Sequence, residues 1–174
     1  MKKLFILLAV LAVTSVTVES NAQVFNGPNK GESILGVRFG AAGGLGANIS
    51  YDYALARVWK GTFTIGGYVG YHHHGGWNGL PIMLRTTYRF NVVVPEWEVY
   101  AGVMLGGAVN FWDNDYYWHG DHSDRHNSHD AYGSFAGDFI LGSTYYFAKA
   151  VGVNLEFNLG SPSTWVNVGF NFKF

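Results

Sequence analysis

Hydrophobic and polar side chains alternate with a period of two along most of the chain. The clearest run is the last one, from Thr164 to Phe174, in which even-numbered residues form a largely apolar face and odd-numbered residues a largely polar one. Such a period over this length is typical of a β-strand with one apolar and one polar side. We therefore predict that the chain ends in a strand.

Eight runs of this kind follow one another, at about 32–41, 45–55, 61–73, 80–90, 97–112, 132–147, 151–159 and 164–174. No helical period is found after the first 22 residues. Short glycine- or proline-containing turns separate most runs, which indicates consecutive antiparallel strands. An exposed apolar edge strand invites aggregation, so we expect the last strand to pair with the first. The predicted fold class is all-β, an eight-stranded antiparallel up-and-down transmembrane β-barrel.

The start of the chain differs from the rest. Met1, Lys2 and Lys3 precede an apolar stretch from Leu4 to Val18, which is too short for a membrane-spanning helix of about 20 residues. Small residues before a cleavage point after Ala22 complete the pattern of a signal peptide. We predict a signal peptide at 1–22 and a barrel domain at 23–174.

Composition agrees with a membrane barrel. Charged residues make up 13% of the chain and aromatic residues 17%, whereas soluble domains carry about 25% charged residues. A surface that faces lipid explains the deficit, because charges there are costly. The net charge of −1 shows no basic excess, so no nucleic-acid partner is expected. The chain contains no cysteine, which excludes disulfides and a lipid-anchored N-terminus.

Alternation alone does not say which face is enclosed, and a soluble lipocalin-like barrel would enclose the apolar one. Here the polar face is rich in small residues, and its charges are nearly balanced, as expected of an enclosed network of ion pairs. We predict a structural interior ion-pair network formed by Glu32, Arg38, Asp52, Arg85, Arg89, Glu98, Asp138, Glu156 and Lys173. On this orientation, arginine at Leu155, Val168 or Phe170 should cost more stability than serine at Asn154 or Asn167.

The ending of the chain, with Phe170, Phe172 and the terminal Phe174 on one face, resembles the C-terminal signal that the barrel-assembly machinery reads in bacterial outer-membrane proteins. With the N-terminus in the periplasm, the longest connection, 113–131, lies outside the cell, as is usual for such barrels. Over the whole mature chain, strand number and topology resemble the family of small eight-stranded outer-membrane barrels, such as the transmembrane domain of outer membrane protein A and OmpX.

The resemblance implies a barrel in the cell outer membrane with a plugged interior, used for adhesion, envelope integrity or defence against host factors. It carries no catalytic motif. We expect a monomeric, non-enzymatic envelope scaffold or surface-interaction protein that contacts outer-membrane lipids and, through its extracellular loops, an external partner.

All seven histidines fall at the predicted outer end, and they suggest an alternative function. They are His72, His73 and His74 at the end of the third strand, and His119, His122, His126 and His129 in the long loop. Neutral imidazoles and nearby carboxylates are ligands of zinc, copper and nickel. A solvated polar loop has the same composition, so transition-metal capture by two converging loops is a hypothesis.

A lipid A-modifying hydrolase is a third, weaker hypothesis. His126, Asn127 and Ser128 form a loose His-x-Ser pattern. In lipid A deacylases of this barrel class, however, the corresponding pair lies on a strand wall that faces lipid. We therefore predict no catalytic residues, and no cofactor apart from the hypothetical metal.

Overall fold

The chain folds into one closed antiparallel barrel in which the strands follow sequence order and β1 pairs with β8. This computed structural model describes residues 27–41, 43–112, 131–161 and 164–174. The strands within these ranges are β1 (Ser33–Ala41), β2 (Leu45–Val58), β3 (Gly61–His74), β4 (Trp77–Asn91), β5 (Trp97–Trp112), β6 (Tyr132–Ala148), β7 (Val151–Ser161) and β8 (Val166–Lys173). The predicted all-β, eight-stranded fold is confirmed, whereas the predicted signal peptide lies outside the described residues.

The described residues include no helix that is long and apolar enough to cross a membrane.

The connection between β3 and β4 is shorter than predicted. It consists of Gly75 and Gly76, whose φ angles of 54° and 88° are those that a two-residue hairpin turn requires. The sequence pattern placed the start of the fourth strand at about residue 80. In the structure Asn78 already pairs with His73, so β4 begins at Trp77, because two glycines alone reverse the chain.

The last strand also begins later than predicted. The alternation assigned Thr164 to the outer face and Trp165 to the inner face. In the structure Thr164 is 3% exposed and faces inward, whereas Trp165 is 57% exposed and faces outward. The reason is local hydrogen bonding: the Thr164 hydroxyl donates to Oδ1 of Asn167 (2.6 Å), and the Asn167 amide donates to the Thr164 carbonyl (2.8 Å). This turn pulls Thr164 inward, and the regular strand starts only at Val166.

The two ends of the barrel carry different connections. The β2–β3, β4–β5 and β6–β7 turns lie at the same end as residues 27–32 and the C-terminus; we call it the terminal end. The β1–β2, β3–β4, β5–β6 and β7–β8 connections lie at the opposite, outer end. The connection between β5 and β6, by far the longest, falls mostly outside the described residues.

Apolar side chains cover the outside of the wall, and polar side chains fill the inside. Phe39 and Phe135 are 71% and 78% exposed, whereas Arg38, Arg85 and Arg89 are completely buried. The prediction that the apolar face points outward is confirmed. A wall of this kind suits a lipid surrounding, because closure of the barrel lets neighbouring strands satisfy each other's backbone polar groups without water.

Candidate functional site

Six charged side chains meet inside the barrel, and we call them the interior charge network. They are Arg38 on β1, Asp52 on β2, Arg85 and Arg89 on β4, Glu98 on β5 and Glu156 on β7. All six are 0% exposed. They come from inward-facing positions of five strands, so the network connects strands on opposite sides of the barrel.

Arg85 lies at the centre of the interior charge network. Its Nε donates to Oδ1 of Asp52 at 3.0 Å, and its Nη2 donates to Oε2 of Glu156 at 2.6 Å. Nη1 of the same guanidinium reaches Oε1 of Glu156 at 3.2 Å, so the contact with Glu156 is bidentate. Bidentate arginine–carboxylate pairs are among the strongest and most directional polar contacts in proteins. Arg85 therefore fixes β2 and β7 relative to β4.

Arg89 and Arg38 extend the network towards its two sides. Nη2 of Arg89 contacts Oδ2 of Asp52 at 2.6 Å, and Nη1 contacts Glu98. Nη2 of Arg38 lies 3.6 Å from Oε2 of Glu156. Three guanidinium groups and three carboxylates thus balance one another, as charges out of contact with water must.

Neutral polar groups complete the contacts of Arg38. Its Nε donates to Asn154, its Nη1 to Ser50 Oγ at 2.9 Å, and its Nη2 to Asn171 Oδ1 at 3.1 Å. A Cβ atom at Gly36 would lie only 2.5 to 2.7 Å from the guanidinium atoms of Arg38. Glycine at position 36 is therefore what allows the guanidinium to lie against the wall.

Tyr100, which the sequence analysis did not single out, is part of the same site. Its hydroxyl donates to Oε2 of Glu156 at 2.7 Å, and its ring lies 4.6 Å from the guanidinium carbon of Arg89. A Cβ atom at Gly142 would overlap this ring. Tyr100 and Gly142 are register partners on β5 and β6. The alternation had placed Tyr100 on the inner face, but only the register shows that a glycine faces it.

Three residues of the predicted network lie apart from these contacts. Glu32 precedes β1 and is half-buried, and its carboxylate accepts hydrogen bonds from Asn29 at 2.7 and 2.8 Å. Asp138 is buried on β6. Nζ of Lys173 lies 4.5 Å from the centre of the Tyr146 ring. Glu32 differs from the prediction because the regular strand begins at Ser33, so its side chain serves the segment before the barrel.

That N-terminal segment covers the terminal end of the interior. Gly27 and Pro28 are buried, and the Thr62 hydroxyl donates to the Pro28 carbonyl at 3.0 Å. The Gly31 amide donates to the Ala54 carbonyl at 2.9 Å. Side chains and backbone of the segment therefore fill the mouth below the interior charge network.

Towards the outer end the interior becomes apolar on one side. A cluster formed by β3 to β6 packs there, consisting of Tyr68, Met83, Tyr100, Met104, Ala108, Ala136 and Ile140. Eight-stranded barrels are narrow enough for side chains to fill them. The interior charge network and the apolar cluster together occupy the space that a wider barrel would leave for a solute.

The three histidines of β3 do not point to one place. Successive side chains of a strand face opposite sides, so His73 faces outward, with Nδ1 3.0 Å from Oδ1 of Asn78. His72 faces inward and lies against Gly79, and His74 is exposed at the rim. Within the described ranges no group of three or more histidine or carboxylate side chains could hold a metal ion. His119, His122, His126 and His129 lie outside the described residues, as do Asn127 and Ser128.

The aromatic residues of the C-terminal strand lie on the outer face. Phe170 and Phe174 are about half exposed, and Phe172 is partly covered. The backbone of Phe174 exchanges two hydrogen bonds with Ser33, of 2.7 and 3.0 Å. The strand that the sequence suggests as an assembly signal is thus also the strand that closes the barrel.

Comparison with known proteins gives matches at the level of structure. No family model matches the sequence, and no curated protein resembles it significantly in sequence. The N-terminal β-barrel domain of OprF from Pseudomonas aeruginosa is similar, with a TM-score of 0.58, 17% identity and coverage of 83% of this chain and 98% of that one. The chain has the fold of a small outer-membrane β-barrel. The likeness shows the fold, and the apolar outer wall agrees with a barrel that is surrounded by lipid.

Two further structures are similar at lower identity. A de novo designed transmembrane β-barrel has a TM-score of 0.54 and 13% identity, with coverage of 86% of this chain and 99% of the design. Neisserial surface protein A has a TM-score of 0.49 and 14% identity, with coverage of 82% and 95%. A barrel designed de novo has the same architecture, and a fold by itself does not imply a function.

Proposed function

We propose that this protein is a monomeric, non-enzymatic outer-membrane scaffold that meets its partners through its outer connections. The observation that carries the proposal is the interior charge network, whose six side chains are fully buried and pair with one another. A barrel locked in this way supports a rigid frame for loops and disfavours passage of solutes.

The carboxylates of the interior charge network are already paired with guanidinium groups, which supports a non-catalytic role. Asp52 contacts both Arg85 and Arg89, and Glu156 contacts Arg38, Arg85 and the Tyr100 hydroxyl. A general acid or base must reach a substrate proton, whereas these groups are enclosed and already bonded.

The two faces of the wall indicate the kinds of partner. The apolar outer face meets outer-membrane lipids, and β8 with Phe170, Phe172 and Phe174 is the element that we expect the barrel-assembly machinery to read. The connection 113–131, rich in Asp, His and aromatic residues, is the element that we expect to contact a partner outside the cell.

A loop-replacement experiment tests whether the barrel wall and the connection 113–131 have these separate roles. Residues 114–130 would be replaced by a short Gly/Ser linker, and cells that lack the native protein would express either form. Both forms should migrate as folded, heat-modifiable barrels and restore detergent resistance equally, but only the native form should support adhesion to collagen- or laminin-coated surfaces. Three results would overturn the proposal. They are adhesion by the loop-replaced form, steady ion conductance of the native protein in planar bilayers, and a changed lipid A mass on expression.

Metal capture at the outer end is a second candidate. The observation in its favour is that Trp77, next to the β3 histidines, pairs with Trp112, the last residue before the histidine-rich connection. Calorimetric titration of the purified protein with zinc, copper and nickel tests it. Replacement of His72 and His74 by glutamine should weaken micromolar binding, and replacement of His119, His122, His126 and His129 should abolish it. His73→Gln is the control that leaves binding intact, because this ring faces outward next to Asn78. No binding by the native protein would exclude the function.

A further inference from the structure

The exposed charges of the described residues all lie at the terminal end. They are Lys30, Arg57, Lys60, Glu96 and Lys149. The described part of the outer end carries no Lys, Arg, Asp or Glu side chain, and the outer connection 113–130 contains five aspartates and one arginine. The terminal end is therefore basic, with Glu96 as its one exposed acidic side chain in the described part of the chain.

Two of these basic residues, Lys60 and Lys149, lie on opposite sides of the barrel. Lys60 lies in the β2–β3 turn and Lys149 in the β6–β7 turn. In a closed ring of eight strands in sequence order, these turns are on opposite sides. A single compact ligand cannot contact both, whereas the lipids that surround the wall contact every turn.

The level of the turns matches the membrane interface. Trp59, which precedes Lys60, is 98% exposed and is the non-glycine residue of the described chain with a positive φ, 53°. Val93 at the adjacent turn is fully exposed, and the Asn91 amide donates to the Lys60 carbonyl at 2.8 Å, which joins the two turns. Tryptophan prefers the boundary between hydrocarbon and headgroups, so it places the neighbouring ammonium group at phosphate height.

We propose that the terminal end of the barrel binds anionic phospholipid headgroups through Lys60 and Lys149. Juxtamembrane lysines attract anionic lipids over distances of about a Debye length. On the topology that the loop lengths indicate, these lipids belong to the periplasmic leaflet. The inference rests on the proposed insertion into the outer membrane and adds a lipid preference to it.

Electron spin resonance with spin-labelled phosphatidylglycerol and phosphatidylcholine measures this preference at the surface of the reconstituted protein. We expect the ratio of the association constant of phosphatidylglycerol to that of phosphatidylcholine to be about three. This ratio should fall towards one at 1 M NaCl. The variant Lys60→Gln/Lys149→Gln should lower this ratio towards one. Glu96→Gln should increase it, and Tyr132→Gln at the outer end should leave it unchanged.

Each outcome distinguishes the two proposals. Motionally restricted phosphatidylcholine with no preference for phosphatidylglycerol would contradict the headgroup site and leave the inserted scaffold intact. Absence of any restricted lipid would contradict insertion itself. If the double variant does not fold, as judged by heat-modifiable migration, the salt dependence of the native protein and the effect of Glu96→Gln still decide the question. No change in either measurement would overturn the proposal.

Discussion

Leu155 and Glu156, neighbours on β7, meet opposite requirements. Leu155 is 40% exposed on the outer wall, where any apolar side chain of suitable size serves. Glu156 is fully buried and contacts Arg38, Arg85 and Tyr100. Position 155 therefore requires hydrophobicity, whereas position 156 requires individual partners. Substitutions on the two faces should differ in kind as well as in size.

Removal of one charge from the interior network should have the largest effect. Glu156→Gln leaves Arg38 and Arg85 without a shared carboxylate, and breaking a buried pair costs about 3 to 5 kcal/mol. Urea-induced unfolding in lipid vesicles measures the free energy of unfolding. Leu155→Met is the matched control and should change it by less than about 1.5 kcal/mol. If Glu156→Gln lowers the free energy of unfolding no more than the control does, the network contributes little to stability.

A charge on the outer wall should have the next largest effect. Leu155→Arg should cost about 2 to 4 kcal/mol near the bilayer midplane, in the same unfolding assay. The sequence alone suggested a much smaller cost for Asn154→Ser. The structure raises that expectation to about 1 to 3 kcal/mol, because Asn154 accepts from Arg38 and its amide donates to the Tyr100 hydroxyl and Thr144 Oγ1. A negligible cost of Leu155→Arg would contradict the lipid-facing assignment.

Filling the space beside Tyr100 should have an intermediate effect. Gly142→Ala forces a methyl group into the ring, and overpacking of this kind costs about 1 to 3 kcal/mol. Gly107→Ala is the control on the exposed outer wall, where the nearest atom to a new Cβ is the Ser134 carbonyl oxygen at 3.5 Å. Comparison of the two urea midpoints checks the prediction. Equal midpoints would mean that the ring does not lie against Gly142.

Loss of the contact between the N-terminal segment and the wall should have the smallest effect. Thr62→Val removes the hydrogen bond to the Pro28 carbonyl, worth about 0.5 to 1.5 kcal/mol. We expect faster proteolysis of residues 27–32 in detergent-solubilised protein, with little change in the unfolding of the barrel. Thr86→Val on the outer wall is the control and should not alter the proteolysis rate. Equal rates for native protein and Thr62→Val would show that this contact does not fix the segment.

The sequence predicted the strands and their faces because each inward or outward assignment depends only on parity along one strand. Arg38, Arg85 and Glu156 could be assigned to the interior in this way. Parity fails where local hydrogen bonds replace the regular strand, as at Thr164 and Glu32. It also says nothing about register, which brings Gly142 to Tyr100 across β5 and β6. The partners of Arg38, on β2, β7 and β8, could not be predicted for the same reason.

The central claim is that the interior charge network acts as one coupled unit, and a double-mutant cycle on Arg85 and Glu156 tests it most directly. Glu156→Gln alone leaves an excess of positive charge inside, whereas Arg85→Met/Glu156→Gln restores the balance between Arg38 and Arg89 on one side and Asp52 and Glu98 on the other. The free-energy loss of the double variant should therefore be about 1 to 3 kcal/mol smaller than the sum of the losses of the two single variants. A double loss equal to the sum of the single losses within about 0.5 kcal/mol would contradict the account.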